Sequence, residues 1–157
     1  MRMRGAVMGI VLLLSGLIVL GPGGSKPVAA GCTPEHYVQK DAGAGGVQIT
    51  VTYITPEYVE MTKDSQRMKG YRPDRYALFL VQLDSHSVDV SGYRLAQLSR
   101  LTGGRRKLSP LRWEETAAGT HHRAGVLVFS KVNPPLPAEL VIKGIAGIPA
   151  RTFRWQP

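Results

Sequence analysis

From Val47 onward, apolar and polar positions alternate: Val47, Ile49, Val51 and Tyr53 are separated by Gln48, Thr50 and Thr52. A period of two sends successive side chains to opposite faces, so this stretch predicts a strand with one face in a core and one in water. The next run, "RYALFLVQL" from Arg75 to Leu83, is apolar at both parities for most of its length. That pattern predicts a strand covered on both sides, in the middle of a sheet or sandwich. Runs around 93–102, 107–115, 125–130, 139–143 and 151–155 predict further short strands.

Between the first two strands, "PEYVEMTKDSQRMKGYRPD" is polar; Pro56 suits a first helical position, and Gly70 and Pro73 would end a helix, so one short helix or an irregular connection is expected. Met61 and Met68 read as packing residues rather than as copper ligands. Gly103-Gly104 suits a tight hairpin, while "NPPLP" and "GIP" break strands. About seven short strands with at most one helix predict an all-β domain, an immunoglobulin-like β-sandwich. The Cys…Trp…Cys pattern of antibody domains is absent, because the chain has one cysteine.

The pattern changes outside this domain. "MRMR" followed by an uncharged, Val/Leu/Ile-dominated stretch from Gly5 to Gly21 predicts an export signal over residues 1–31. The apolar part is about 17 residues, at the lower limit for spanning a bilayer, which favours cleavage over permanent anchoring. Two processing sites compete in "KPVAAGC": a signal-peptidase cut after Ala30, and a lipobox-like run ending at Cys32, whose thiol would take lipid. Ala29 stands where a lipobox usually has Leu, so both routes stay open. Residues 32–46, ending "DAGAGG", read as a flexible tether, and 47–157 as the domain. Cys32 has no internal disulfide partner, and a free thiol in an oxidising compartment is a liability that lipidation would remove.

Charge adds a class of partner. The chain carries a formal +9, and leaving out Arg2, Arg4 and Lys26 of the leader puts 17 basic residues against 11 acidic ones. Such a balance favours anionic lipid or polymer surfaces of an envelope. Arg105, Arg106 and Lys107 are the densest cluster and read as a solvated hairpin tip; with export, and with no aromatic residues interleaved, no nucleic-acid partner is expected.

Candidate chemistry is confined to two segments. In "LDSHSVDV", Asp84 and His86 lie two apart and would project from one side of a continuing strand. In "AAGTHHRAGVLVF", His121 and His122 are adjacent, so on a strand only one of them could join Asp84 and His86, whereas in a loop both could. Three or four ligands of nitrogen and oxygen type suit Zn²⁺ or Cu²⁺ better than Ca²⁺ or Mg²⁺. Against this stands a plainer reading, in which Asp84 caps the turn after its strand and the histidines bond loop backbone. His36 falls in the expected tether. Glu114 and Glu115 offer acid–base groups for a hydrolase, but no nucleophile elbow or phosphate loop accompanies them. Trp113 and Trp155 read as core fillers at strand ends.

Three stretches, "YALFLVQLDSHSVDVSGY", "RWEETAAGTHHRAGVLVF" and "ELVIKGIAGIPARTFRW", resemble a family of exported, lipoprotein-like bacterial β-domain proteins of uncharacterised activity. The resemblance spans Val47 to Trp155, implies export and a compact β domain, and carries no activity with it. Taken together, the sequence favours a non-catalytic envelope module that is tethered near Cys32 and binds an envelope protein or an anionic polymer or lipid surface. A copper- or zinc-binding protein using Asp84, His86, His121 and His122 is the alternative, and a hydrolase comes last.

Overall fold

The computed structural model describes residues 32–62 and 68–157; the export signal expected over 1–31 lies outside them. Along the chain run β1 (Val38–Lys40), β2 (Val47–Ile54), α1 (Pro56–Thr62), β3 (Tyr76–Ser85), α2 (Leu95–Leu98), β4 (Ser99–Gly103), β5 (Arg106–Leu108), β6 (Arg112–Ala117), β7 (His122–Ser130), β8 (Ala138–Ile145) and β9 (Ile148–Trp155). Two antiparallel sheets result, in the orders β1-β2-β3-β7-β6 and β5-β4-β8-β9. They pack face to face as an all-β sandwich, and the chain passes between sheets after β3, β5 and β7.

The alternation of β2 does what its period dictates. Val47, Ile49, Val51 and Tyr53 point inward with Phe79, Val81 and Leu83 of β3 and Leu127 and Phe129 of β7, against Leu101, Leu140, Ile142, Phe153 and Trp155 of the second sheet. Burying each such aliphatic or aromatic side chain is worth roughly 1.5–3 kcal/mol, which makes this layer the main source of stability. Aromatic rings close one end: Tyr53 stacks on Phe79 at 4.5 Å between centroids, and Trp155 lies 5.2 Å from Phe79 and 5.7 Å from Tyr53.

The double-sided apolar character of β3 has a structural cause. It lies third in a five-stranded sheet, and its outward Leu78 joins Ile54, Val126 and Val128 in a second buried cluster, covered by Val59 of α1 and by Met68. Met61, by contrast, packs against the main core, so the two methionines serve different clusters. The outer face of the second sheet is polar, with Arg100, Lys107, Lys143, Thr152 and Arg154 on it.

Three expectations are corrected. The single strand expected over 107–115 is two, β5 and β6, in different sheets: Pro110 has no N–H for a ladder and breaks the run. The strand expected over 93–102 begins at Ser99, and Leu95–Leu98 forms the short α2.

The segment expected as a flexible tether, 32–46, is also built into the sandwich. Its β1 pairs with β2 in the register Val38↔Thr52 and Lys40↔Thr50. Tyr37 is buried, and its carbonyl accepts the Trp155 indole N–H at 2.9 Å. Asp41 forms an ion pair with the buried Arg151 of β9 and accepts the N–H groups of Gly43 and Ile49 at 3.0 and 2.9 Å. The glycines that suggested flexibility fill left-handed positions instead: Gly43, Gly45 and Gly46 have φ of 72°, 65° and 74°, which costs glycine nothing and other residues a good deal.

Candidate functional site

All the candidate metal ligands fall at the end of the sandwich where β2 begins, β3 ends and β7 begins. Asp84 and His122 are direct cross-strand partners on β3 and β7, so both point to the outer face. There the His122 Nδ1–H donates to Asp84 Oδ1 at 2.8 Å. The pair is largely solvent-exposed, 70% for the imidazole and 47% for the carboxylate. Surface pairs of this kind contribute about 0–1 kcal/mol.

His121 lies just before β7 and turns elsewhere: its Nδ1 faces the Val88 carbonyl at 3.4 Å. His86, one residue past β3, is exposed in the following bend. Among the described residues, no group of three or more His, Cys, Asp or Glu side chains gathers to hold a metal ion. The expected four-residue cluster is therefore a pair, Asp84 with His122: His121 precedes β7 and turns to the Val88 carbonyl, and His86 lies past β3 in an exposed bend. Nor does Asp84 cap the turn. Ser85, buried at the end of β3, does so: its hydroxyl accepts the N–H of Ser87 at 3.2 Å and of Val88 at 2.8 Å while donating to the Gly46 carbonyl at 2.8 Å.

What these segments build is a braced loop surface. The Ser85 N–H donates to the His121 carbonyl at 2.9 Å, and the Val90 N–H donates to the Thr120 carbonyl at 2.7 Å. The loop after β3 is thereby stitched to the loop before β7. Asp89 closes a small turn by accepting the Ser91 hydroxyl at 2.6 Å and the Ser91 N–H at 2.8 Å. These two donors, with a smaller contribution from His121, hold its carboxyl below the ordinary aspartate value.

Behind the loops stands Arg123, whose role the sequence reading missed. Its side chain is 10% exposed; Nη1 donates to the carbonyls of Val90 at 3.2 Å and Tyr93 at 2.6 Å, and Nε donates to Glu115 Oε1 at 2.5 Å. Its guanidinium also lies 5.7 Å from the Trp113 ring centroid. The signal was in the parity of β7: Phe129, Leu127 and Gly125 face inward, and Arg123 falls on that same side, opposite the buried Leu83. An inward arginine needs acceptors, and the loop carbonyls supply them. Glu114 is likewise engaged by an arginine, Arg112, so both glutamates considered for acid–base work are paired with guanidinium groups.

Beside the braced loops opens a cleft of about 420 Å³, lined by Ser91, Tyr93, Leu95, Gln97, Trp113 and Arg123, with no carboxylate or imidazole on its wall. Trp113 packs flat on β7 because residue 125 is glycine: a Cβ there would sit 2.4 Å from the indole. Tyr93 is anchored through its hydroxyl, which accepts the Ala146 N–H at 2.9 Å and so ties the cleft to the β8–β9 turn.

Cys32 lies at the opposite end. It lines an apolar recess of about 310 Å³ with Tyr37, Leu136, Trp155, Gln156 and Pro157, its Sγ 3.7 Å from the Tyr37 hydroxyl. Burial, and after it the bond from Cys32, raises the Tyr37 phenol above its ordinary value. His36, beside Cys32, accepts the Thr33 N–H at Nδ1 (3.1 Å) and so closes the first turn.

Searches of protein-family models, curated proteins and solved structures find no match to this chain.

Proposed function

We propose that this chain is a non-catalytic binding module of the bacterial cell envelope, an immunoglobulin-like sandwich exported by its leader and held at a membrane near Cys32. It uses the end that bears the histidines to bind an envelope protein. The observation that carries this reading is the bracing of the 85–91 and 118–121 loops, through Ser85, Val90 and Arg123, at the end of the sandwich remote from Cys32. Loops already ordered in the free protein lose little conformational entropy on docking, which is the economy that loop-end binders of sandwich architecture exploit. The adjoining cleft, with Trp113 and Arg123 on its wall, offers residue types that dominate binding energy at interfaces. Crossing of the chain between sheets after β3, β5 and β7 supports the immunoglobulin-like assignment, and the charged, apolar-cored leader supports export.

Site-specific photo-crosslinking in intact envelopes tests it. A photoreactive residue replacing His86 or His121 is expected to give a discrete adduct, while one replacing Thr152, on the outer face of the second sheet, gives none. Adducts from position 152 with none from 86 or 121 would overturn the assignment of the binding end.

A further inference from the structure

The end opposite the histidines carries a second surface. There β4 turns into β5 through Gly104, at φ 58°, and the hairpin exposes Arg105, Arg106 and Lys107. Among the described residues none of these three pairs with an acidic side chain, whereas Glu139 on neighbouring β8 is taken by Arg154 at 2.8 Å and Asp74 by Arg72 at 3.2 Å. Lys131, exposed at the end of β7, adds a fourth cation to this end. Glu35 of the first turn and Glu57 and Glu60 of α1 are exposed acids. The hairpin and Cys32 lie at the same end of the sandwich: Gln156 lines both the recess that contains Cys32 and the shallow hollow that contains Gly104. Residues 1–31, with the apolar stretch from Gly5 to Gly21, join the domain at this point.

From this placement we infer that the β4–β5 hairpin is a lipid-facing surface, in which Arg105, Arg106 and Lys107 dock on the anionic headgroups of the membrane to which the N-terminal segment leads. The inference rests on the envelope reading for its setting but uses a different surface. Charge complementarity selects an anionic partner, since three unpaired cations at one exposed tip attract a negative surface within a Debye length. A bilayer is favoured over a soluble polyanion because the proposed tether near Cys32 would hold a membrane at this same end. With the hairpin against the headgroups, the braced loops and their cleft point away from the membrane, where a partner can reach them.

The test uses the full chain and vesicle co-sedimentation on two lipid mixtures, neutral phosphatidylcholine alone and the same lipid with about 30% phosphatidylglycerol. The apolar stretch binds both mixtures alike; the hairpin adds a component seen only with the anionic lipid and weakened by salt. Replacing Arg105, Arg106 and Lys107 together by serine is expected to lower the anionic-vesicle partition by roughly a hundredfold, about fivefold per residue, while leaving neutral-vesicle binding unchanged. Lys143→Ser, at the far end of the outer sheet face, is the matched control and is expected to change little. An unchanged preference for anionic vesicles in the triple variant overturns the inference. So does loss of binding to soluble poly(glycerol phosphate) without loss of vesicle binding, which would make a polymer the occupant. The crosslinking result at positions 86 and 121 depends on neither outcome, so failure here is distinguishable from failure of the binding-module reading.

Discussion

Removing the carboxylate of Asp41 is the sharpest perturbation this fold offers. The Arg151 side chain is 4% exposed and that of Asp41 16%, so the charges have little water to fall back on. Besides its ion pair with Asp41, Arg151 donates from Nη1 to the Val47 carbonyl at 2.9 Å and from Nη2 to the Ala44 carbonyl at 2.6 Å, clamping the start of β2 onto β9. Asp41→Ala leaves a buried guanidinium with carbonyl acceptors but no counter-charge, and deprives the Gly43 and Ile49 N–H groups of their acceptor. Breaking a buried pair from one side costs about 3–5 kcal/mol, a large share of the roughly 5–15 kcal/mol that holds a domain of this size. The expected fall in Tm is on the order of 10–20 °C. Urea unfolding followed by tryptophan fluorescence in a Trp113→Phe background reads the loss through Trp155, whose indole is buried against Tyr37 and Phe79. Arg151→Met in the Asp41→Ala background should cost much less than the two single losses summed, because the stranded charge is gone. A loss below about 1 kcal/mol for Asp41→Ala, or additive costs in the double variant, would refute the clamp.

Two further outcomes follow from the packing. In Gly125→Ala the new methyl would lie 2.4 Å from the Trp113 ring and 2.6 Å from the Glu114 carbonyl, so a loss of about 1–3 kcal/mol is expected by thermal unfolding; unchanged stability would mean that the indole does not rest on β7. The Tyr53 phenol is pushed up to about 12, chiefly by burial and further by Glu57 and Tyr37. Because the folded state favours the neutral phenol, its contribution is intact below the ordinary tyrosine value of about 10 and is lost as pH climbs through the raised one. Absorbance at about 295 nm should therefore show tyrosine ionising late, Tyr37 contributing as well as Tyr53, and Tyr53→Phe should shrink that late step by one tyrosine; ionisation of every tyrosine near the ordinary value would contradict the burial of Tyr53.

Periodicity found what periodicity governs. β2 announces itself by alternation, and β3 by apolar residues at both parities; the inward faces follow, but the face of β2 expected in water is half-buried at Gln48 and Thr50 and buried at Thr52, beside the second cluster. The stretch from Thr33 to Gly46 escaped because its order comes from partners remote in sequence: Trp155 for Tyr37, and Arg151 for Asp41. Glycines in left-handed turns have the same composition as glycines in a linker. At the candidate site, the sequence allowed one histidine on a strand or both in a loop; β7 begins at His122, which pairs with Asp84, while His121 lies in the loop and turns to a backbone carbonyl. The exposure of His86 and the roles of Ser85 and Arg123 depend on how two loops meet, which no local pattern encodes.

The shared recess of Cys32 and Pro157 makes the domain's backbone nearly a closed ring. A short linker joining these two residues would let the ring be reopened by circular permutation at an exposed bend such as Gly92, where an added Cβ meets nothing within 4 Å. It also means that a reporter fused after Pro157 would emerge beside Cys32, whereas one inserted at Gly92 would emerge at the opposite end, on the rim of the cleft that Gly92 helps to line.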